Sequence, residues 1–358
     1  MSAVQIAVVE DRLAGHGGRL CVARALHPKA PQPWIDLSTG INPKPYPAPR
    51  ASSSARARLP EPQELRALED MAARAFGVAD ASCVVAAGGS EAVLRLMPYV
   101  LRVDEAVIVG PTYSSHEDAW RKAGARISIN PDPNPPSRRF GTAGEGLREG
   151  ADKRVVTVVN PNNPDGAALH RDHLLALHDQ LARDDGYLVV DEAFADADPS
   201  CSVASLAGRA QHPRLLVLRS FGKFYGLAGL RLGFAIAPRP IAQRFRSLLG
   251  DWPVTADAIA AGLAAYADAA WAERTRARLQ SAAQSLDSLL LRSGFTIVGG
   301  TALFRLARSH DARHRFERLL DAGILVRPFD HDATLLRFGL PYGAAAWQRL
   351  TRALGAEA

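Results

Sequence analysis

Lys223 stands in the run Arg219-Ser220-Phe221-Gly222-Lys223-Phe224-Tyr225-Gly226-Leu227-Ala228-Gly229-Leu230-Arg231-Leu232-Gly233-Phe234, where charge is scarce and glycine recurs at 222, 226, 229 and 233. A lysine in apolar surroundings is a candidate nucleophilic amine, because desolvation favours its neutral form. Glycines beside it let a flat ligand approach the backbone closely. Ser220, three residues before the lysine, and Arg231, eight after it, offer a hydroxyl and a guanidinium to a phosphate. Amine, hydroxyl and guanidinium together suit a phosphorylated aldehyde.

Other polar groups fall where apolar runs end. Asp191 closes Tyr187-Leu188-Val189-Val190, and Asn163 lies in Asn160-Pro161-Asn162-Asn163-Pro164, directly after the β-branched run 154–159. Tyr113 follows the strand candidate that begins at Ala106. Gly89, Ser90 and Glu91 join the apolar stretch Cys83–Ala87 to a helical run over Ala92–Leu101, and such a turn presents N–H groups and the positive helix end to a phosphate.

These groups need a scaffold of alternating strands and helices. Leu65, Leu68, Met71, Ala72 and Ala75 recur at helical spacing between Pro62 and Phe76, with Gly77 as the stop signal. Further helices are expected over Ser115–Ala123 and His173–Ala182, and strands at 215–218 and 232–237. Near-continuous apolar strands fit a largely parallel sheet covered on both faces, with its site at the strand C-terminal ends. After Pro238 the composition shifts to Ala, Leu and Arg, with one helical region at 240–250, a longer one at 255–292 and short strands at 295–298, 302–306, 324–328 and 335–338. The expected organisation is an N-terminal arm over 1–50, rich in proline and packed on the small domain and the active site, a large domain over 51–240 and a small α+β domain over 241–358. The proline-rich stretch 130–150 reads as a variable loop.

The chain has 358 residues, 47% of them hydrophobic and 22% charged, enough to bury a sizeable core. Its net charge is +6, yet no block of consecutive basic residues marks a nucleic-acid surface, and small anionic substrates are the better match. Three cysteines stand far apart without a C-x-x-C pair, so no disulfide framework or metal site is expected and a reducing cytoplasm is the expected location. No apolar run reaches the ~18 residues of a membrane helix, so no membrane association is expected.

The motif Ser-x-x-Lys followed by Gly-x-x-Gly-x-Arg-x-Gly, and the order of the motifs from about residue 16 to 345, resemble the pyridoxal-phosphate aminotransferases of classes I and II. That resemblance implies an α/β fold of aminotransferase type I and a pair of domains, one large with a doubly wound mixed sheet and one smaller and α+β. It implies pyridoxal 5'-phosphate as cofactor, with Lys223 anchoring its aldehyde, Asp191 holding its ring nitrogen protonated, Tyr113 stacking on the ring and Asn163 at the ring oxygen. Gly89, Ser90, Glu91, Ser220 and Arg231 would cup the phosphate, and Arg337 in Leu336-Arg337-Phe338-Gly339 would grip the substrate α-carboxylate. The resemblance further implies a homodimer. Two family tyrosines are replaced here, one by Phe194 and one by Leu59 in Leu59-Pro60, so both hydroxyl donors are missing.

Within the family, His16-Gly17-Gly18, Ile41-Asn42-Pro43, Asp191-Glu192-Ala193-Phe194 and the Lys223 segment look most like the threonine-phosphate decarboxylases of cobalamin biosynthesis. The implied reaction is decarboxylation of O-phospho-threonine, with transamination of a phosphorylated substrate such as histidinol phosphate as the alternative. For the substrate phosphate the candidates are His16, Asn42 and Arg327, with Arg337 nearby.

Overall fold

A computed structural model describes Leu13 and residues 17–132 and 153–356. His16 and most of the proline-rich stretch 130–150 lie outside the described residues. The chain divides into two compact units, one of residues 46–163 and 167–269, the other of residues 1–45, 164–166 and 270–358.

The first unit is built on a seven-stranded sheet. Its strands are β1 (Val84–Ala87), β2 (Glu105–Val109), β3 (Arg126–Asn130), β4 (Arg154–Val159), β5 (Tyr187–Asp191), β6 (Leu215–Ser220) and β7 (Gly233–Ile236). They lie in the spatial order β1-β7-β6-β5-β4-β2-β3. The ladders from β6 through β3 are parallel, whereas β7 runs antiparallel to both its neighbours, so the sheet is mixed. β1, β6 and β7 are buried along their whole length, as expected for strands covered on both faces.

Helices α1 (Pro62–Phe76), α2 (Ser90–Leu101), α3 (Ser115–Lys122), α4 (Arg171–Ala182), α5 (Arg239–Leu249) and α6 (Ala256–Ala267) complete this unit. α1 starts and stops where local chemistry dictates. Pro62 occupies the first turn, where its missing N–H costs nothing, Glu61 and Glu64 form a reciprocal capping box, and Gly77 takes the left-handed conformation that closes the helix. Its apolar face, with Leu68, Ala72 and Phe76, is buried, and α6 packs against it. At Gly262 of α6 an added Cβ would lie 2.5 Å from Leu68 Cδ1, so the small residue permits the close helix approach.

Residues 241–269 therefore cluster with the larger unit, although in composition they resemble residues 270–292 of the other one. The single helical region read over 255–292 is two helices, α6 and α7 (Ala269–Arg292), broken at Asp268 by a non-helical φ/ψ of −96°/71°.

In the second unit β8 (Thr296–Thr301), β9 (Phe304–Arg308), β10 (Arg327–Pro328) and β11 (Leu335–Gly339) form an antiparallel sheet in the order β10-β11-β9-β8. Helices α8 (Ala312–Asp321) and α9 (Ala344–Leu354) and most of α7 belong to the same unit. The N-terminal segment joins it by a two-residue parallel ladder, Ile35 against Ile324 and Asp36 against Leu325. No described helix is long and apolar enough to cross a membrane. Cys21, Cys83 and Cys201 carry free thiols.

Candidate active site

At the C-terminal ends of the first unit's strands, Lys223, Asp191, Asn163, Tyr113, Ser220 and Arg231 line one cavity of ≈130 Å3. Gly89, Ser90 and Glu91 line it too, so every residue expected to hold the cofactor meets in a single place. A larger concavity of ≈1030 Å3 runs past Leu59, Pro60 and Trp252, but Glu69 and Arg246 there are bound to each other at 3.0 Å and no candidate residue faces it. The candidate residues line the smaller cavity.

Lys223 sits in the short helix Phe221–Phe224, immediately beyond β6. Phe221 and Phe224 are fully buried, and the Phe221 ring stacks on Tyr225 at 4.6 Å, which fixes the turn that carries the lysine. Gly222 is required here, because a Cβ would lie 2.6 Å from Ala228 Cα. The Lys223 ammonium stands 5.8 Å from the centre of the Phe194 ring, which replaces a family tyrosine and offers no hydroxyl there.

Asp191 is the last residue of β5 and is buried. One carboxylate oxygen accepts from the Ala193 amide at 3.0 Å, and the other faces His116 Nε2 at 2.9 Å. An ionised carboxylate can only accept, so Nε2 is the protonated ring nitrogen in this pair. His116, in the first turn of α3 and buried, was not among the sequence candidates. It stands three residues after Tyr113, in a helix whose first turn also holds Ser115, Glu117 and Asp118, and nothing local in the sequence marks its partner.

The phosphate end is shaped by glycine. Gly89 has φ of +99° and precedes α2, whose N-terminus no side chain caps. A Cβ at Gly89 would lie 2.7 Å from Arg231 Nη2, and one at Gly233 would overlap the Ser90 amide nitrogen at 2.1 Å. The Arg231 guanidinium thus lies beside Gly89 at a helix N-terminus, two features that both favour an anion. Glu91 contributes backbone to this turn, while its carboxylate is engaged by Arg95 at 2.8 Å and by the Tyr113 hydroxyl at 3.2 Å. Burial, with the nearby Glu91 charge adding to it, pushes the Tyr113 phenol above its usual range. Asn160 and Asn162 spend their amides on Leu169 and on Pro111 and Thr112, leaving Asn163 as the asparagine of this motif that lines the cavity.

Together these features fit pyridoxal phosphate, with a glycine cradle and guanidinium at one end, an aromatic wall, a buried carboxylate and an amine. Gly89→Ala tests the cradle. With a strained φ and a clash at the Arg231 guanidinium, it is expected to weaken cofactor affinity by about 10- to 100-fold, since one lost charge-assisted contact is worth ~1.5–3 kcal/mol, as read by fluorescence titration of the cofactor-free protein.

Behind the pocket Arg219, Glu192 and Asp196 form a buried ion network. Arg219 Nη1 donates to Glu192 at 2.7 Å, Nη2 pairs with Asp196, and the guanidinium lies 4.6 Å over the Phe76 ring. Burial alone would lower the Arg219 guanidinium, but the two carboxylates hold it above its ordinary range, whereas burial pushes the Glu192 carboxyl up. Glu192 directly follows Asp191 and Arg219 directly precedes Ser220, so this network fixes the backbone of two strand ends that supply the pocket. Removing one partner would cost about 3–5 kcal/mol by leaving a buried charge uncompensated.

In the second unit Arg327 and Arg337 are directly opposed across the β10–β11 ladder. Arg337 is buried, stacks 5.0 Å over Phe304 and donates to the Ser38 carbonyl at 2.9 Å. Burial first, and then the Arg327 charge, lower its guanidinium to about 9. Two facing cations of which one is desolvated favour an anionic ligand. Asn42 is buried, and its side-chain oxygen accepts from the Lys44 amide and from Arg278 Nη2, each at 3.0 Å. Arg278 was likewise missing from the sequence candidates. Gly17 and Gly18, next to His16 in sequence, lie against Ser38, whose hydroxyl accepts from the Gly18 amide at 2.7 Å.

The aminotransferase class I and II family profile matches residues 32–355. The chain is 39% identical to a threonine-phosphate decarboxylase of Pseudomonas aeruginosa, covering 95% of this chain and 96% of that protein. It is 38% identical to a threonine-phosphate decarboxylase of a Sinorhizobium species, covering 95% and 97%. A solved structure of histidinol-phosphate aminotransferase from Sinorhizobium meliloti, in complex with pyridoxal-5'-phosphate, superposes with a TM-score of 0.77 at 19% identity, covering 93% of this chain and 92% of that one.

Proposed function

Because the chain belongs to the class I and II aminotransferase family, we propose that it binds pyridoxal 5'-phosphate and decarboxylates L-threonine O-3-phosphate to (R)-1-aminopropan-2-yl phosphate and CO2, a step of cobalamin biosynthesis. The near-full-length likeness to threonine-phosphate decarboxylases supports the reaction type. The geometric observation that carries the substrate class is the opposed pair Arg327 and Arg337, which suits a substrate bearing both a carboxylate and a phosphate.

When bound, the cofactor supplies an aldehyde that takes the substrate amine and a ring that accepts the electron pair left as the carboxylate departs. Lys223 Nζ anchors it, and once displaced holds a proton for transfer to Cα. Asp191 keeps the proton on the ring nitrogen, and the His116 Nε2–H holds the carboxylate oriented for that task. Tyr113 and Asn163 line the cavity and would pack on the ring and donate at the ring oxygen. Ser220, Arg231 and the Gly89-Ser90-Glu91 turn bind the phosphate. Arg337 binds the substrate carboxylate and Arg327, with Asn42 and His16, the substrate phosphate. The reading includes a cytoplasmic homodimer, supported by three free thiols and by the exposed Leu59 and Trp252 on the large groove, which a second copy would cover.

Purified protein mixed with O-phospho-L-threonine is expected to release CO2 without any keto acid. Turnover that instead requires 2-oxoglutarate and yields a keto acid product from histidinol phosphate would replace this reading with a transaminase. Arg327→Ala is expected to raise KM for the phosphorylated substrate by about 10- to 100-fold, the worth of one charged hydrogen-bonded contact, with the visible absorbance of bound cofactor unchanged. An unaltered KM would remove Arg327 from the substrate site.

A further inference from the structure

We propose that His178, His212 and Asp179 form a binding site for a borderline divalent transition-metal cation of the Zn2+ class, separate from the cofactor pocket. One ligand atom from each of the three residues lies within 4.8 Å of those of the other two. Ligand atoms sharing one tetrahedral Zn2+ stand about 3.3 Å apart, so small side-chain rotations bring the two imidazole nitrogens onto one ion, with Asp179 behind the His178 ring. Two imidazole nitrogens, with water oxygens completing the shell, match the ligands such cations prefer over those of Mg2+ or Ca2+.

The two imidazoles are unusual for their surroundings. His178 is on the buried face of α4, among Leu174, Leu177 and Leu181, and His212 lies just before β6. Their rings approach to 5.1 Å at 81°. His178 Nε2 and His212 Nδ1 are both buried and meet no hydrogen-bond partner, in a protein interior where such groups are normally satisfied. On the other side of the His178 ring, Nδ1 meets Asp179 Oδ1 at 2.9 Å. A carboxylate accepts, so Nδ1 carries the proton and Nε2 the lone pair, the tautomer in which a carboxylate presents an imidazole to a metal. The Asp179 charge beside the pair favours a cation, while Arg209 and Arg171 act against one and limit the affinity. Asp179 is exposed, which leaves remaining coordination positions to water. An ion held here would tie α4 to the segment that leads into β6, the strand before Lys223.

The test uses the full chain without a polyhistidine tag, freed of metal by a chelator and titrated with CoCl2 and ZnCl2. One equivalent of Co2+ is expected to give ligand-field absorption that Zn2+ abolishes, and saturating Zn2+ to raise Tm by roughly 5 °C. His212→Ala is expected to remove this binding while leaving CO2 release from O-phospho-threonine unchanged. Asp179→Asn, at an exposed position that does not threaten folding, is expected to weaken it about 10- to 100-fold. Absence of stoichiometric Co2+ absorption, or equal binding by the His212→Ala protein, would overturn the site. Because CO2 release is scored separately, failure of the metal site and failure of the proposed reaction are distinguishable.

Discussion

Lys223→Ala is expected to lower turnover of O-phospho-threonine by about 10^4-fold or more, the scale seen when a group that acts as one unit with its neighbours is removed. The residue is both the anchor of the cofactor and the group that handles the proton at Cα, so no neighbour can substitute for it. The variant should fold, since the turn around it is held by Phe221, Phe224 and Tyr225, whose packing the truncation leaves intact. Cofactor added to this variant should be removable by gel filtration and should lack the visible absorbance of the wild-type protein. Retention of that absorbance after gel filtration, in a form that borohydride reduces, would place the anchor on another lysine.

Asp191→Asn is expected to lower kcat by about 10^2- to 10^3-fold or more with little change in substrate KM, the signature of losing a charge that matters only in the transition state. The amide is nearly isosteric and can still accept from the Ala193 amide, so the fold is preserved, but it cannot hold a proton on the ring nitrogen by charge. His116→Gln should have a smaller effect, because it leaves the carboxylate charged and removes only the donor at 2.9 Å that orients it. If the two variants lost equal activity, the charge on Asp191 would not be the operative feature. Near-UV and visible spectra of the loaded proteins provide a second reading, expected to shift for Asp191→Asn and to remain nearly unchanged for His116→Gln.

The pocket was legible in the sequence because its residues sit at strand ends, where a run of apolar residues gives way to one polar group. Asp191 after Leu188-Val189-Val190 and Ser220 after Leu215-Leu216-Val217-Leu218 are both of this kind. α1 was legible to the residue because proline and glycine bracket it. His116 was not, because a histidine inside a helix carries no local mark of its partner, and Asp191 is 75 residues away. β3 escaped notice for a different reason. Arg126-Ile127-Ser128-Ile129-Asn130 is a short edge strand with half of its apolar content exposed, so it lacks the continuous apolar run that marked the others. The end of the larger unit was read at about 240, whereas the compact unit runs to 269, because alanine-rich helices look alike whichever core they join and the packing of α6 on α1, with Gly262 against Leu68, leaves no mark in composition.

The ladder between Ile35 and Ile324 bears on how the polypeptide is made. Residues 17–45 leave the ribosome before 46–269, yet their pairing partner is synthesised only after 46–269 has emerged and can collapse around its own sheet. The segment must therefore wait, unpaired, while 46–269 is made. Its prolines at 28, 31, 33, 43 and 45 suit that interval, because they deny it the backbone donors that a stray sheet edge on another nascent chain would capture. Completion of the second unit thus becomes a late checkpoint on chain integrity, since a truncated product never provides the strand that Ile35 requires.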